Sequence, residues 1–82
     1  MTNNTTNRLN ECVRYLLDQY EIDWIVNSFD PYYDYACGGH DSNGNDWLDI
    51  IDDAADIILD YYLHSNSNSD IYQHFGVDNP NF

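Results

Sequence analysis

The segment 46–64 constrains the fold more than any other part of this chain, because its acidic and apolar residues separate at the helical period. Wound at about 100° per residue, its aspartates fall inside one arc of roughly 120°. The remaining arc is almost entirely aliphatic and aromatic. The pattern predicts one long amphipathic helix that buries its apolar side and presents carboxylates on the other. The acidic residues on that arc are Asp46, Asp49, Asp52, Asp53, Asp56 and Asp60.

Two earlier segments carry the same helical period. Apolar residues recur at intervals of three and four over 9–20 and again over 22–29, which predicts a helix in each. Their apolar faces are rotated relative to each other, so we expect a bend at Tyr20 and Glu21. Pro31 ends the second helix, because the residue before a proline is pushed out of the α region.

A short helix near the C-terminus completes a predicted all-α fold, a small bundle of three to four helices. Ser69 and Asp70 begin this helix and Gly76 stops it, as glycine commonly does after a last helical turn. A chain of 82 residues builds at most one small core, so residues 1–82 are interpreted as one acidic helical domain. We expect residues 1–6 and 77–82 to be flexible ends.

The charge balance of the chain indicates the kind of partner it meets. Fifteen acidic residues stand against two arginines and no lysine, for a formal net charge of −13. Repulsion at this density destabilises a compact state, so the charge favours a use such as attraction of a basic protein. Direct binding of nucleic acid is excluded, because nothing in the sequence neutralises phosphates. An aromatic content of 16% excludes intrinsic disorder.

The spacing of the aspartates in 46–60 is close to that of phosphates in DNA. Six carboxylates follow one another about every 4 Å along a helix that rises 1.5 Å per residue. One strand of duplex DNA carries a phosphate about every 3.4 Å of axis. Like charges three or four positions apart cost about 0.2–0.5 kcal/mol each, which argues against a merely solubilising face. Such a face, or adaptation to high salt, is the alternative explanation.

A loop predicted at 31–45 supplies further candidate contacts. It combines three tyrosines and two aspartates with three glycines, and it is long for a connection without structure of its own. Tyrosine is enriched at interface hot spots, so the loop is a candidate partner contact. Covering the edge of a small core is the other role open to the tyrosines. The candidate residues are Tyr32, Tyr33, Asp34 and Tyr35.

Catalysis and metal binding find little support in the sequence. Zinc-binding residue types occur at Cys12, Cys37 and His40 and at the later histidines, His64 and His74. Their spacing is not that of a zinc finger. Residues 41–46 are similar to a calcium loop, yet the glycine is misplaced and no bidentate glutamate follows. No phosphate-binding loop or nucleophile motif is present. We therefore predict no enzyme activity, no metal and no cofactor.

The compartment and the oligomeric state follow from composition only in outline. No apolar run is long enough to span a bilayer, and the first residues lack a signal-peptide pattern. We expect a cytoplasmic protein with reduced cysteines and no membrane partner. A homodimer would stabilise so small a core, and the sequence leaves this open.

The one-sided run from Asp46 to Asp60, in a lysine-free chain, resembles a class of small acidic proteins. These are the aromatic-rich phage and mobile-element proteins that imitate DNA and block host defence, such as the T7 overcome-restriction type and several anti-CRISPR inhibitors. The resemblance is one of type and covers no extended motif. It implies an inhibitor that occupies the basic DNA-binding site of a restriction enzyme or CRISPR effector.

A second resemblance gives an alternative function. The run Ser69-Asp70-Ile71-Tyr72 is similar to the short tyrosine-bearing helix of colicin-type immunity proteins. That resemblance implies a protein that neutralises a cognate toxin nuclease. An adaptor protein with an acidic face is a third possibility. In each case the expected partner is a protein, and for the first two it is a basic DNA-binding protein or nuclease.

Overall fold

The computed structural model describes residues 4–30, 40, 43–44 and 46–78. The segments with a helical apolar period form four α-helices in it. The predicted small all-α bundle is confirmed for this part of the chain. No strand occurs among the described residues, although His40 and Asp46 form an isolated antiparallel bridge. The elements are α1 (Asn4–Gln19), α2 (Ile22–Ser28), a short 3₁₀ turn (Trp47–Asp49), α3 (Ile51–His64) and α4 (Asn68–Phe75).

The chain bends between α1 and α2 where the two apolar faces require it. The N–H of Tyr20 still bonds the carbonyl of Leu16 at 2.9 Å, and Glu21 then adopts an extended backbone. The carbonyl of Glu21 accepts from the N–H of Ile25 at 3.0 Å, which begins α2. The predicted bend is therefore confirmed. At its other end α1 already begins at Asn4, within the segment that the sequence assigned to a flexible end.

The C-terminus of α4 is closed by a paired hydrogen-bond motif. Gly76 adopts the left-handed conformation, with φ 78° and ψ 27°, and its N–H bonds the carbonyl of Gln73 at 3.2 Å. The next N–H, of Val77, bonds the carbonyl of Tyr72 at 2.8 Å. This is the Schellman arrangement, in which glycine avoids the steric cost of a positive φ. Val77 is buried, so the core extends into the segment 77–82 that was expected to be a tail.

The centre of the bundle is α3, because it packs against α1, α2, α4 and the 3₁₀ turn. Its buried residues, Ile51, Ala54 and Ile58, are three and four positions apart and so share one face of the helix. The opposite face is left to solvent. Among the described residues, the buried core consists of Cys12, Val13, Leu16, Leu17, Ile22, Ile25, Trp47, Ile50, Ile51, Ala54, Ile58, Ile71 and Val77.

Candidate partner-binding surface

Four exposed carboxylates lie on the outward face of α3. From the first to the last they extend over about 12 Å of helix axis at 1.5 Å per residue. Within the described part of the chain, the first three make no hydrogen bond or ion pair, and the fourth lies 3.6 Å from Nε2 of His64. These side chains are therefore open to a partner. They belong to Asp52, Asp53, Asp56 and Asp60, and we call them the α3 carboxylates.

The helix predicted over 46–64 is interrupted at Ile50, whose backbone has φ −130° and ψ 0°. In a continuous α-helix the N–H of Ile50 would bond the carbonyl of Asp46. Instead it bonds the carbonyl of Trp47 at 2.9 Å, and the carbonyl of Asp46 accepts from Nη2 of Arg8 at 3.0 Å. The first two aspartates of the predicted stripe consequently precede the α-helix, and the prediction of one unbroken rod is corrected.

Basic side chains lie against those first two aspartates. The carboxylate of Asp49 accepts one bond of 3.0 Å from each terminal nitrogen of Arg8. Oδ1 of Asp46 lies 2.8 Å from Nε2 of His40. An arginine that meets a carboxylate with two parallel bonds forms one of the stronger polar contacts in proteins. Arg8 thus neutralises Asp49 from within the chain, whereas Asp52, Asp53 and Asp56 have no basic side chain of the described residues against them.

The structure therefore divides the predicted site residues into three groups. The α3 carboxylates share one helix face, as the sequence predicted. Asp46 immediately precedes the 3₁₀ turn and Asp49 lies in it, and the carboxylate of each contacts a basic side chain. The loop candidates Tyr32, Tyr33, Asp34 and Tyr35 lie outside the described residues.

Three exposed leucines were not anticipated as part of this surface. Leu48, Leu59 and Leu63 are 55%, 36% and 67% exposed, although Leu48 and Leu59 belong to the apolar arc that was expected to be buried. Counted from the helix start at Ile51, Leu59 and Leu63 fall at about 80° and 120°, beside Asp52 at about 100°. The helical wheel already contains this signal, because the angle between two residues depends only on their separation in the sequence. The outward face of α3 is therefore both acidic and apolar.

The cysteine at the α1 side of this region has no chemical role that its surroundings support. Cys12 is fully buried, and burial raises the pKa of its thiol to about 12. The charge of Arg8 lowers the pKa by a smaller amount and that of Asp49 raises it further. A buried, protonated thiol is neither a nucleophile nor a good metal ligand. Among the described residues, no three side chains of His, Cys, Asp or Glu lie together as metal ligands.

Comparison with protein-family models, with curated proteins and with solved structures finds no match to this chain. In the described ranges, every helix is too short or too polar to cross a membrane. The function has to be inferred from the surface itself.

Proposed function

We propose that this protein is a DNA-mimicking inhibitor of a host defence protein such as a restriction enzyme or a CRISPR effector. In this proposal the α3 carboxylates occupy the basic DNA-binding site of that protein and exclude its nucleic acid. The observation that carries the proposal is that Asp52, Asp53 and Asp56 lie exposed on one rigid helix with no basic side chain of the described chain against them. A basic partner would supply the missing counter-charge.

The density of charge supports a phosphate-like role. Four carboxylates over about 12 Å of axis correspond to one per roughly 4 Å, close to the phosphate density of a single DNA strand. Aspartate is short, so each carboxylate stays close to the helix backbone. The net charge of −13 adds a long-range field that draws a basic groove toward the chain.

The energetics of α3 support the same function. Asp56 lies three or four positions from Asp52, Asp53 and Asp60, so it takes part in three like-charge pairs. Each pair costs about 0.2–0.5 kcal/mol, and together they cost on the order of 1 kcal/mol. A face that served solubility alone would gain by mixing in lysine. Arginine and lysine side chains from a DNA-binding groove would relieve the repulsion on binding, and this relief contributes to affinity.

The immunity-protein alternative has less support from the described residues. The tyrosine on which its resemblance depends, Tyr72, is half-buried. Burial raises the pKa of its hydroxyl, with a smaller lowering from the backbone of Ile22 and a raising from Glu21 and Asp23. Tyr72 therefore packs in the α2–α4 region and exposes only part of its ring to a toxin.

The proposal is tested by a panel of DNA-binding proteins. A restriction endonuclease, a CRISPR effector, a DNA glycosylase and a nucleoid protein are each incubated with the purified chain and a labelled duplex, and DNA binding is followed by fluorescence anisotropy. We expect the chain to displace DNA from at least one of them. Its inhibition should weaken at least tenfold between about 50 mM and 300 mM salt, because the contact is electrostatic.

Two charge variants locate the effect on the chain. The test variant replaces all four α3 carboxylates by asparagine. The control carries Asp18→Asn, Glu21→Gln, Asp23→Asn and Asp78→Asn, so that it loses the same number of charges elsewhere. We expect the test variant to lose inhibition at least tenfold and the control to keep most of it. Equal losses in both variants, or no inhibition of any panel member, would contradict the proposal.

A further inference from the structure

Leu59 and Leu63 distinguish the outward face of α3 from a plain array of charges. They are one helical turn apart, so their side chains adjoin, and Asp56 and Asp60 lie next to them on the same face. A sugar-phosphate strand has no counterpart to two exposed leucines. Exposing these apolar side chains to water is unfavourable, and covering them with the apolar surface of a partner is favourable.

An open depression adjoins this leucine pair. It has a volume of about 380 Å³ and lies where the turn 65–68 joins α3 to α4. Tyr62 and Leu63 line it from α3, and the buried Ile71 lines it from α4. The rest of the lining is polar and consists of Ser65, Asn66, Ser67 and Asn68. The depression therefore has its exposed apolar wall at Leu63, at the end of the carboxylate row, and has room for one side chain of a partner.

We propose that the C-terminal half of α3 docks a basic amphipathic helix of the inhibited protein. Lysine or arginine side chains of that helix meet Asp56 and Asp60. Its apolar side chains cover Leu59 and Leu63, and one of them enters the depression. This inference rests on the proposed function and adds to it that the contact is partly apolar, so that a part of the affinity remains in salt that screens the charges.

A second copy of the chain does not fit this surface. If two copies met through α3, the carboxylates beside the leucines would face each other, and each copy has a net charge of −13. Like charges brought together across an interface oppose association strongly. A basic amphipathic helix complements both parts of the face, because its lysine or arginine side chains meet the carboxylates and its apolar side chains meet the leucines. This complementarity is the reason that we assign such a helix as the occupant.

The test uses two synthetic helical peptides of equal length and equal lysine content. In the first, leucines lie beside the lysines on one face, and in the second those leucines are replaced by glutamine. Binding of each labelled peptide to the full chain is measured by anisotropy at about 50 mM and 300 mM salt. We expect the leucine peptide to bind about tenfold more tightly than the glutamine peptide and to retain binding at the higher salt. Burial of one or two leucine side chains is sufficient for about a tenfold gain in affinity.

The variant Leu59→Asn with Leu63→Asn should remove that tenfold preference. Leu48→Asn is the control, because the exposure of Leu48 lies between those of Leu59 and Leu63 but its position precedes α3, and it should leave the preference intact. Equal binding of the two peptides, or loss of the preference in the control alone, would overturn the inference. Dimerisation of the chain that Leu63→Asn abolishes, detected by sedimentation, would also overturn it.

The two proposals fail in different ways. If the asparagine variant of the α3 carboxylates loses both peptides while the leucine substitutions change nothing, the electrostatic function stands and the apolar docking is wrong. If that variant instead binds both peptides at low salt as tightly as its charge-matched control does, the proposed function is wrong.

Discussion

Arg8 and Asp49 are 41 positions apart in the sequence and are joined by two parallel hydrogen bonds of 3.0 Å. The same guanidinium group also donates to the carbonyl of Asp46, which an uninterrupted helix would have used for its own backbone ladder. One arginine of α1 therefore ties down the 3₁₀ turn and holds the acceptor that a longer α3 would need. It also supplies a counter-charge to one carboxylate at the edge of the proposed partner-binding surface.

We expect Arg8→Gln to lower the free energy of unfolding by about 1 kcal/mol, as measured by urea denaturation. The bidentate pair and the carbonyl contact are lost together, but Asp49 is 63% exposed and solvent screens the pair. Arg14→Gln is the control, since it removes the same charge from an exposed position of the same helix. Its effect should stay within about 0.5 kcal/mol. Equal losses would show that net charge, and not the contact, sets the stability.

Neutralisation of a carboxylate should have opposite effects at Asp56 and at Asp70. Asp56→Asn relieves three like-charge pairs on α3 and should raise the free energy of unfolding by about 0.5–1 kcal/mol. Asp70 lies in the first turn of α4, and its N–H bonds Oγ of Ser67 at 3.4 Å. A carboxylate there interacts favourably with the helix dipole, so Asp70→Asn should lower stability by about 0.5 kcal/mol.

The comparison between these two variants is informative because the charge change is identical. Thermal and urea unfolding at low salt provide the measurement, and the difference between the variants should shrink at about 1 M salt, where charges are screened. Shifts of the same sign for both would mean that overall charge repulsion dominates over position. In that case the unfavourable pairing on α3 would lose its role as support for a partner-binding face.

The helices and the core could be predicted from the sequence because both follow from local periodicity. The apolar faces of α1, α2 and α4 were found from residue spacing alone, and Gly76 marked the end of α4 through its freedom at positive φ. The interruption at Ile50 could not be found in this way, because it depends on Arg8, which is 38 positions away from Asp46. Local patterns contain no information about such a distant donor.

The candidate site was predictable to the same extent. The α3 carboxylates are exposed because the opposite face of α3 is buried, which the wheel of a single helix already indicates. The wheel also places Leu59 and Leu63 within about 20° of Asp52, so their exposure follows from the same pattern wherever the helix begins. Which elements cover α3 is the part that depends on the tertiary structure. The pairing of Asp49 with Arg8 is likewise a long-range contact, so the sequence counted this aspartate with the others although it is neutralised.

The thiol of Cys12 should be inert in the folded protein. Because burial raises its pKa to about 12 from its ordinary value of 9.0, the thiolate needed for alkylation is almost absent at pH 8. In a Cys37→Ala background, labelling by iodoacetamide should be at least a hundredfold slower than in about 6 M guanidinium chloride. Labelling of the native protein at the denatured rate would contradict the burial of Cys12.

The same shift predicts how stability depends on alkaline pH. A pKa that is raised on folding means that the folded state keeps the proton longer than the unfolded state does. The contribution of Cys12 is therefore complete below about pH 9 and is lost as the pH rises toward 12. Urea unfolding of the wild type and of Cys12→Ala between pH 8 and pH 10.5 should show the steeper decline in the wild type.

The left-handed backbone of Gly76 gives a test of what ends α4. An added Cβ would meet no atom within 4 Å, so Gly76→Ala introduces no clash and its cost comes from the positive φ of 78° alone. We expect a loss of about 1 kcal/mol in the free energy of unfolding. Gly76→Asn should lose clearly less, since asparagine tolerates this conformation better than alanine. If the two substitutions cost the same, or if neither costs anything, the paired hydrogen bonds of Gly76 and Val77 do not depend on glycine at this position.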